Sequence, residues 1–216
     1  ELVKRSISNS DHLIFPSEWA KEHIGFTGNN FSIIHNAPLE IFHKYKNNDK
    51  LNKKINLITH HWSTNPKKGF SYYKQLDKFV GENSNFNFIY IGRTPDNFKF
   101  ENAKYVEPIG DNDLLARLLS RSTIYVTASE EEAGANHVLE GVAAGLPIVF
   151  HKNGGSILNY CSDYGIIYES YDEMIVAIKN IVDNYSSFKS KSMSYGAVIG
   201  EVVDKYLEVL CNIKSI

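Results

Sequence analysis

Cysteine is scarce in this sequence: Cys161 and Cys211 are the only two in 216 residues. Two distant cysteines make no disulfide framework, so reduced thiols and a cytoplasmic setting are expected. Long apolar runs are missing too; none approaches the roughly 18–20 residues that span a bilayer. The opening "ELVKRSISNS" has no signal-peptide pattern and reads like the middle of a longer chain. Neither sign of charge dominates. Lys and Arg number 23 against 25 Asp and Glu, a formal net charge of −2, which argues against a polyanion-binding surface and leaves room for a single local phosphate site.

Several motifs are absent as well. No G-x-G-x-x-G follows the first strand and no G-x-x-x-x-G-K-[ST] occurs, which disfavours a dinucleotide site and a P-loop. There is no C-x-x-C and no H-E-x-x-H. His60 and His61 are adjacent, so in a strand they face opposite ways and do not share a metal. "DND" at Asp111–Asp113 has the look of a metal-binding D-x-D. It follows "PIG" and precedes a helical pattern, so Asp111 or Asn112 is expected to be an N-cap instead. No metal site is expected.

What is present is alternation. "DHLIF" reads as a strand stopped by Pro16, and Ser17 as the N-cap of a short helix, "SEWAKEHI". "FSIIHNAP" is extended, and the polar "HKYKNNDKLNKK" reads as a linker or exposed loop. Strand-like "INLITHHW", "FNFIYIG", "STIYVTAS", "LPIVF" and "YGIIYE" then alternate with helical "FSYYKQLDKFV", "NDLLARLLS", "NHVLEGVAAG" and "GGSILNYC". Two amphipathic helices, "YDEMIVAIKNIVDNY" and "YGAVIGEVVDKYLEVL", close the chain. The pattern predicts an α/β fold, a Rossmann-like parallel sheet flanked by helices. The aromatic residues of "FSYYKQLDKF" are expected in its core.

In such a sheet the ligand lies beyond the carboxyl ends of the strands. The loops there read "HHWSTNPKKG", "RTPDN", "SEEEAGA" and "HKNGGS", all rich in polar ligand-binding groups. Glu132 sits in the third. Gly134, Ala135 and Asn136 follow where a helix begins, so free N–H groups and the positive helix end gather there, an anion site. Glu140 falls one turn into that helix. A polyol carrying a phosphate suits this layout, with a carboxylate for hydroxyls at each end and amides for the charge. A spacing of two glutamates is weak evidence alone; its place after a strand and at a helix start gives it weight.

"EAGANHVLEGVAAGLPIV" resembles the E-x7-E motif of the GT-B glycosyltransferases, specifically the large retaining family 4. "IIHNAP", "KKG", "FIYIG", "PIGDNDLLARLLSRSTIYVTAS" and "NGGS" come in that family's order and spacing. The resemblance implies the C-terminal, donor-binding domain of such an enzyme. Residues 1–30 would be a remnant of the N-terminal domain, 31–190 the nucleotide-sugar-binding domain, and 191–216 a helix crossing back. It further implies sugar transfer with retention from a nucleotide-diphosphate sugar, UDP- or GDP-linked, to a glycan or lipid-linked acceptor held by the rest of the protein. No metal or other cofactor is implied. Cytoplasmic location, peripheral membrane association of the full-length protein and a place in polysaccharide assembly are expectations of the same origin.

By the same resemblance, Glu132 would hold donor-sugar hydroxyls and Glu140 the ribose. Backbone amides at Gly134, Ala135, Asn136 and His137 would meet sugar and phosphates. Lys68 would bind the diphosphate, and Ile109 and Arg93 would border the base. The chain departs from the pattern in three places. Trp62 stands where the family usually has Arg six residues before the Lys, and His61 or Lys67 would supply replacement donors. Ala135 holds a usual Gly position, and Leu158 a frequent acid. Two alternatives share the architecture: a non-hydrolysing sugar-nucleotide epimerase, and a nucleotide-sugar-binding module without catalysis.

Overall fold

The computed structural model describes residues 2–46 and 50–213. Part of the expected polar loop over residues 43–54 (47–49) and the two chain ends, residue 1 and residues 214–216, therefore lie outside the described residues. Strand β1 (Leu13–Phe15) follows helix α1 (Leu2–Ser8) and leads into α2 (Glu18–His23). Strand β2 (Phe31–Ile33) pairs with β1 in parallel, forming a small two-stranded sheet. Ser17 caps α2 as expected: its hydroxyl accepts the Ala20 N–H at 3.0 Å.

The main unit follows. Strand β3 (Ile55–His61) leads through a 3-10 turn (Pro66–Lys68) into α3 (Phe70–Glu82), and then β4 (Phe86–Gly92) and β5 (Lys104–Val106). Helix α4 (Asn112–Ser120), β6 (Ile124–Thr127), α5 (Asn136–Ala143), β7 (Ile148–His151), α6 (Ser156–Cys161) and β8 (Gly165–Tyr168) continue the alternation. Helices α7 (Tyr171–Asp183), α8 (Tyr185–Ser194) and α9 (Ile199–Ile213) finish it. All neighbouring strands are parallel, in the order β5-β4-β3-β6-β7-β8. Taken from β3 onward this is a doubly wound 3-2-1-4-5-6 sheet, which reverses direction between β3 and β6.

Strand alternation builds a core on each face. Ile58, Tyr125, Ile148 and Phe150 pack under α4 and α5 with Leu119, Val138 and Val142. Leu57, Phe88, Val126 and Val149 pack under α3 and α7 with Tyr73, Leu76, Ile178 and Ile181. Burying an aliphatic or aromatic side chain stabilises by roughly 1.5–3 kcal/mol, and the strands are buried on both sides because helices cover both.

The register makes the crevice. Strand β3 pairs with β4 at every position from Ile55 to His61. With β6 it pairs only at Leu57↔Ile124 and Ile58↔Tyr125, and then the two strands part. The last residues of β3 therefore border an opening at the point where the winding reverses. Among the described residues no helix is long and apolar enough to cross a membrane.

Candidate functional site

Backbone geometry draws two loops together over that opening. Gly69 ends the 3-10 turn with φ 74°, and a side chain there would run into the Ala128 carbonyl after β6. Glu130 N–H donates to the Lys67 carbonyl at 2.8 Å, joining the loop after β3 to the loop after β6. Lys67 Nζ pairs with Glu131 and Lys68 Nζ with Glu132. The Lys68–Glu132 pair is the deeper one, with side chains 17 and 18 % exposed.

Helix α5 starts beside this pair. Ala135 occupies its cap position and offers no side-chain acceptor. Among the described residues nothing accepts from the N–H groups of Gly134, Ala135, Asn136 and His137, so the positive end of the helix is left open. The N-terminal segment holds the loop from outside. Ser17 Oγ donates to the Ala133 carbonyl at 2.9 Å, and Asn36 Nδ2 donates to the Gly134 carbonyl at 2.9 Å and to Asn136 Oδ1 at 2.8 Å. A cavity of about 480 Å³ lies here. Its walls include Lys68, Glu132, Asn136, His137, His61 and Trp62. Gly134 and Ala135 line it too. A narrow slot of only about 10 Å³ adjoins it through His61 and Trp62 and is closed by His60, Ile91, Pro108 and Ile109.

The two histidines ending β3 take opposite faces. His61 Nε2 meets the Tyr73 hydroxyl at 2.5 Å on the α3 side, and its ring is 5.0 Å from that of His137. Burial, with Lys68 and His60 beside it, holds the His61 imidazole well below its usual pKa. His137 is held down likewise, by burial and then by His61, Lys68 and His60. Both rings are thus neutral next to the lysine. Burial also pushes the Tyr73 hydroxyl up to about 12, so it stays protonated. On the α5 side His60 Nε2 meets Glu140 Oε2 at 2.7 Å, and His60 Nδ1 lies 3.1 Å from the Tyr125 hydroxyl.

The structure thus gathers Lys68, Glu132, His61, Gly134, Ala135, Asn136 and His137 around one cavity, with Ile109 in the adjoining slot. Glu140 reaches the slot through His60. Arg93 is exposed and lines neither; its backbone N–H donates to the His61 carbonyl at 3.2 Å. Asp111 caps α4, accepting from Asp113 and Leu114 N–H at 2.9 and 3.2 Å, and Asp113 is tied to Tyr45 and Arg117. The pairing of His60 with Glu140 was not expected from sequence. Period-two alternation put His60 on the opposite face from His61, but the pairing itself spans 80 residues.

This geometry has relatives. Sucrose-phosphate synthase from Thermosynechococcus elongatus superposes with a TM-score of 0.76 at 13% identity, covering 99% of this chain and 61% of that one. The pneumococcal O-GlcNAc transferase GtfA, solved with UDP and GlcNAc, gives 0.73 at 14%, covering 95% of this chain and 46% of that one. Anabaena Alr3699/HepE, solved with UDP and glucose, gives 0.72 at 14%, covering 97% and 66%. At such identities the likeness establishes the fold alone, a Rossmann-like parallel sheet flanked by helices as in GT-B glycosyltransferases. The chain spans between about half and two thirds of the length of these proteins. No curated protein sequence matches it significantly. The sequence pattern described as "Glycosyl transferases group 1" matches residues 58–184, more than half of the chain, with the end of β3, Lys68, Glu132 and Glu140 inside it. The chain belongs to the glycosyl transferases group 1 family.

Proposed function

We propose that this chain is the donor-binding domain of a retaining hexosyltransferase that takes its sugar from a nucleoside-diphosphate sugar. One observation carries the reading: the crevice between β3 and β6 brings the Lys68–Glu132 pair against the open N-terminus of α5, around a cavity of about 480 Å³, with Glu140 one turn further along. The diphosphate is met by the N–H groups of residues 134–137 and by Lys68, which exchanges Glu132 for phosphate oxygens. Glu132, released, takes donor-sugar hydroxyls. Glu140 takes the ribose and the Ile109 slot borders the base, while Arg93, which lines neither, contributes only through its backbone N–H to the His61 carbonyl. His61 contributes as a neutral donor. Trp62 is the departure that most affects the diphosphate end, since an indole replaces a guanidinium fork there.

Negative charge grows on the leaving diphosphate as the bond to the sugar breaks. Lys68 and the α5 amides are already oriented toward it, so their stabilisation costs little reorganisation. Lys68 and the α5 amides are the groups proposed to meet this charge, and no metal is included in the proposal. Solved relatives that hold UDP with GlcNAc or glucose support a UDP-sugar as the first donor to try. The acceptor, a glycan or a lipid-linked sugar, would be bound largely by a second domain. Residues 1–30 would be the edge of that domain, and α9 would return to it. Work at the cytoplasmic face of a membrane, in polysaccharide assembly, fits this reading.

Calorimetric titration with UDP, GDP and ADP tests it, with Glu140→Ala alongside. One nucleoside diphosphate is expected to bind selectively and to lose most of its affinity in the variant. Undiminished binding by Glu140→Ala would sink the assignment.

A further inference from the structure

We infer that His60 is a positioning residue for Glu140, held in a single tautomer by Tyr125, and that it sets how well the site recognises a ribose. The inference rests on the nucleotide reading of Glu140 given above.

An ionised carboxylate only accepts, so at 2.7 Å the ring proton of His60 sits on Nε2 and points at Glu140 Oε2. The His60 side chain is 3 % exposed, so its end of the bond is withdrawn from solvent. In the neutral ring the other nitrogen then accepts. Tyr125 supplies the proton. Its hydroxyl receives the His60 backbone N–H at 3.3 Å and lies 3.1 Å from Nδ1, nearer than its alternative acceptor, the His60 carbonyl at 3.4 Å. Tyr125 is fully buried, and burial holds its hydroxyl well above the usual tyrosine range, so its proton is always there to give. The chain Tyr125 O–H to Nδ1, Nε2–H to Glu140 therefore runs one way. Which nitrogen of a histidine carries the proton is set by what the other one meets.

Glu140 gains a fixed geometry. One oxygen is engaged, and among the described residues no hydrogen bond reaches Oε1, while the side chain keeps 22 % of its surface exposed. A carboxylate pinned by one oxygen presents the other at one angle, as pairing with vicinal hydroxyls requires. His60 also forms part of the slot wall beside Trp62 and Ile109. The bond thus ties the carboxylate to the wall that would flank the nucleoside.

The test compares UDP with 2′-deoxy-UDP by calorimetry, on the wild-type chain and on Glu140→Ala, His60→Ala, His60→Gln and Tyr125→Phe, with GDP and its deoxy form substituted should GDP be the better ligand. The wild type should favour the ribose form roughly tenfold. Glu140→Ala and His60→Ala should each bring that ratio close to one. His60→Gln, whose amide restores a donor near Nε2, should recover part of it, and Tyr125→Phe should fall between. A merely structural role would weaken both ligands alike and leave the ratio intact. If Glu140→Ala flattens the ratio and His60→Ala does not, the positioning role is overturned while the nucleotide reading stands. If Glu140→Ala leaves the ratio intact, or neither nucleotide binds, that reading falls and the inference with it.

Discussion

Lys68 and Glu132 neutralise each other at the lip of the cavity, both mostly withdrawn from solvent. An exposed pair would contribute little, about 0–1 kcal/mol. Here the lysine matters for what replaces its partner. Lys68→Ala is expected to weaken a nucleoside diphosphate at least tenfold, consistent with about 1.5–3 kcal/mol for a hydrogen bond to a charged group. The uncharged nucleoside should bind as before, and the two titrations side by side check this. His61 and His137 make a second prediction. Their folded pKa values are depressed, so their neutral forms stabilise the fold fully above the unfolded histidine pKa near 6.5. As pH falls below that value the unfolded chain takes up protons that the folded chain refuses, and stability drops. Melting temperature should decline between pH 7 and 5.5, and His61→Asn or His137→Asn should each make the decline shallower. Single residues were unevenly legible. Ser17 and Asp111 announced themselves as caps because capping is local chemistry. His60 did not, because its partners Tyr125 and Glu140 come from distant parts of the chain and only the folded sheet chooses them.

Elements were legible wherever hydrophobic periodicity was strong. The strand–helix alternation from β3 to α7 stands in the sequence, and so does the start of α5 at Asn136. Helix α8 was passed over: "YSSFKSKSMS" is polar, with little amphipathic pattern, and docks through Tyr185 and Ser192 onto a structure already formed. Short β5 was also missed, since three residues with an exposed lysine and tyrosine carry too little pattern. Turn chemistry at Gly69 decides how the site closes. Its positive φ suits glycine, and a methyl group would overlap the Ala128 carbonyl. Gly69→Ala should cost about 1–3 kcal/mol for the conformation alone and more for the overlap. Urea unfolding would measure the loss, and nucleotide affinity should fall with it, because Lys67 and Lys68 directly precede this residue.

At the scale of the whole molecule, α9 is the unsettled surface. Val203, Leu207 and Leu210 are each more than half exposed, at 51, 54 and 51 %, while Val202 is its buried anchor. Such a stripe on a helix face marks an interaction surface or an aggregation liability. Leu207→Ser with Leu210→Ser should therefore make the isolated chain more monodisperse in light scattering, at a stability cost within about 0.5 kcal/mol per site.

The parting of β3 from β6 after two paired positions bears on the order in which the molecule assembles. The contacts that define the site close long loops, 80 residues between His60 and Glu140 and 64 between Lys68 and Glu132. The β3–β4 pairing needs only a nearby helical crossover. Closing a longer loop costs more chain entropy and slows folding. A nascent chain can therefore complete the β3–β5 half of the sheet while the crevice still lacks a wall. Ligand binding then reports the last docking event, the arrival of the β6–α5 half, and refolding followed by nucleotide capture should lag behind refolding followed by helix content.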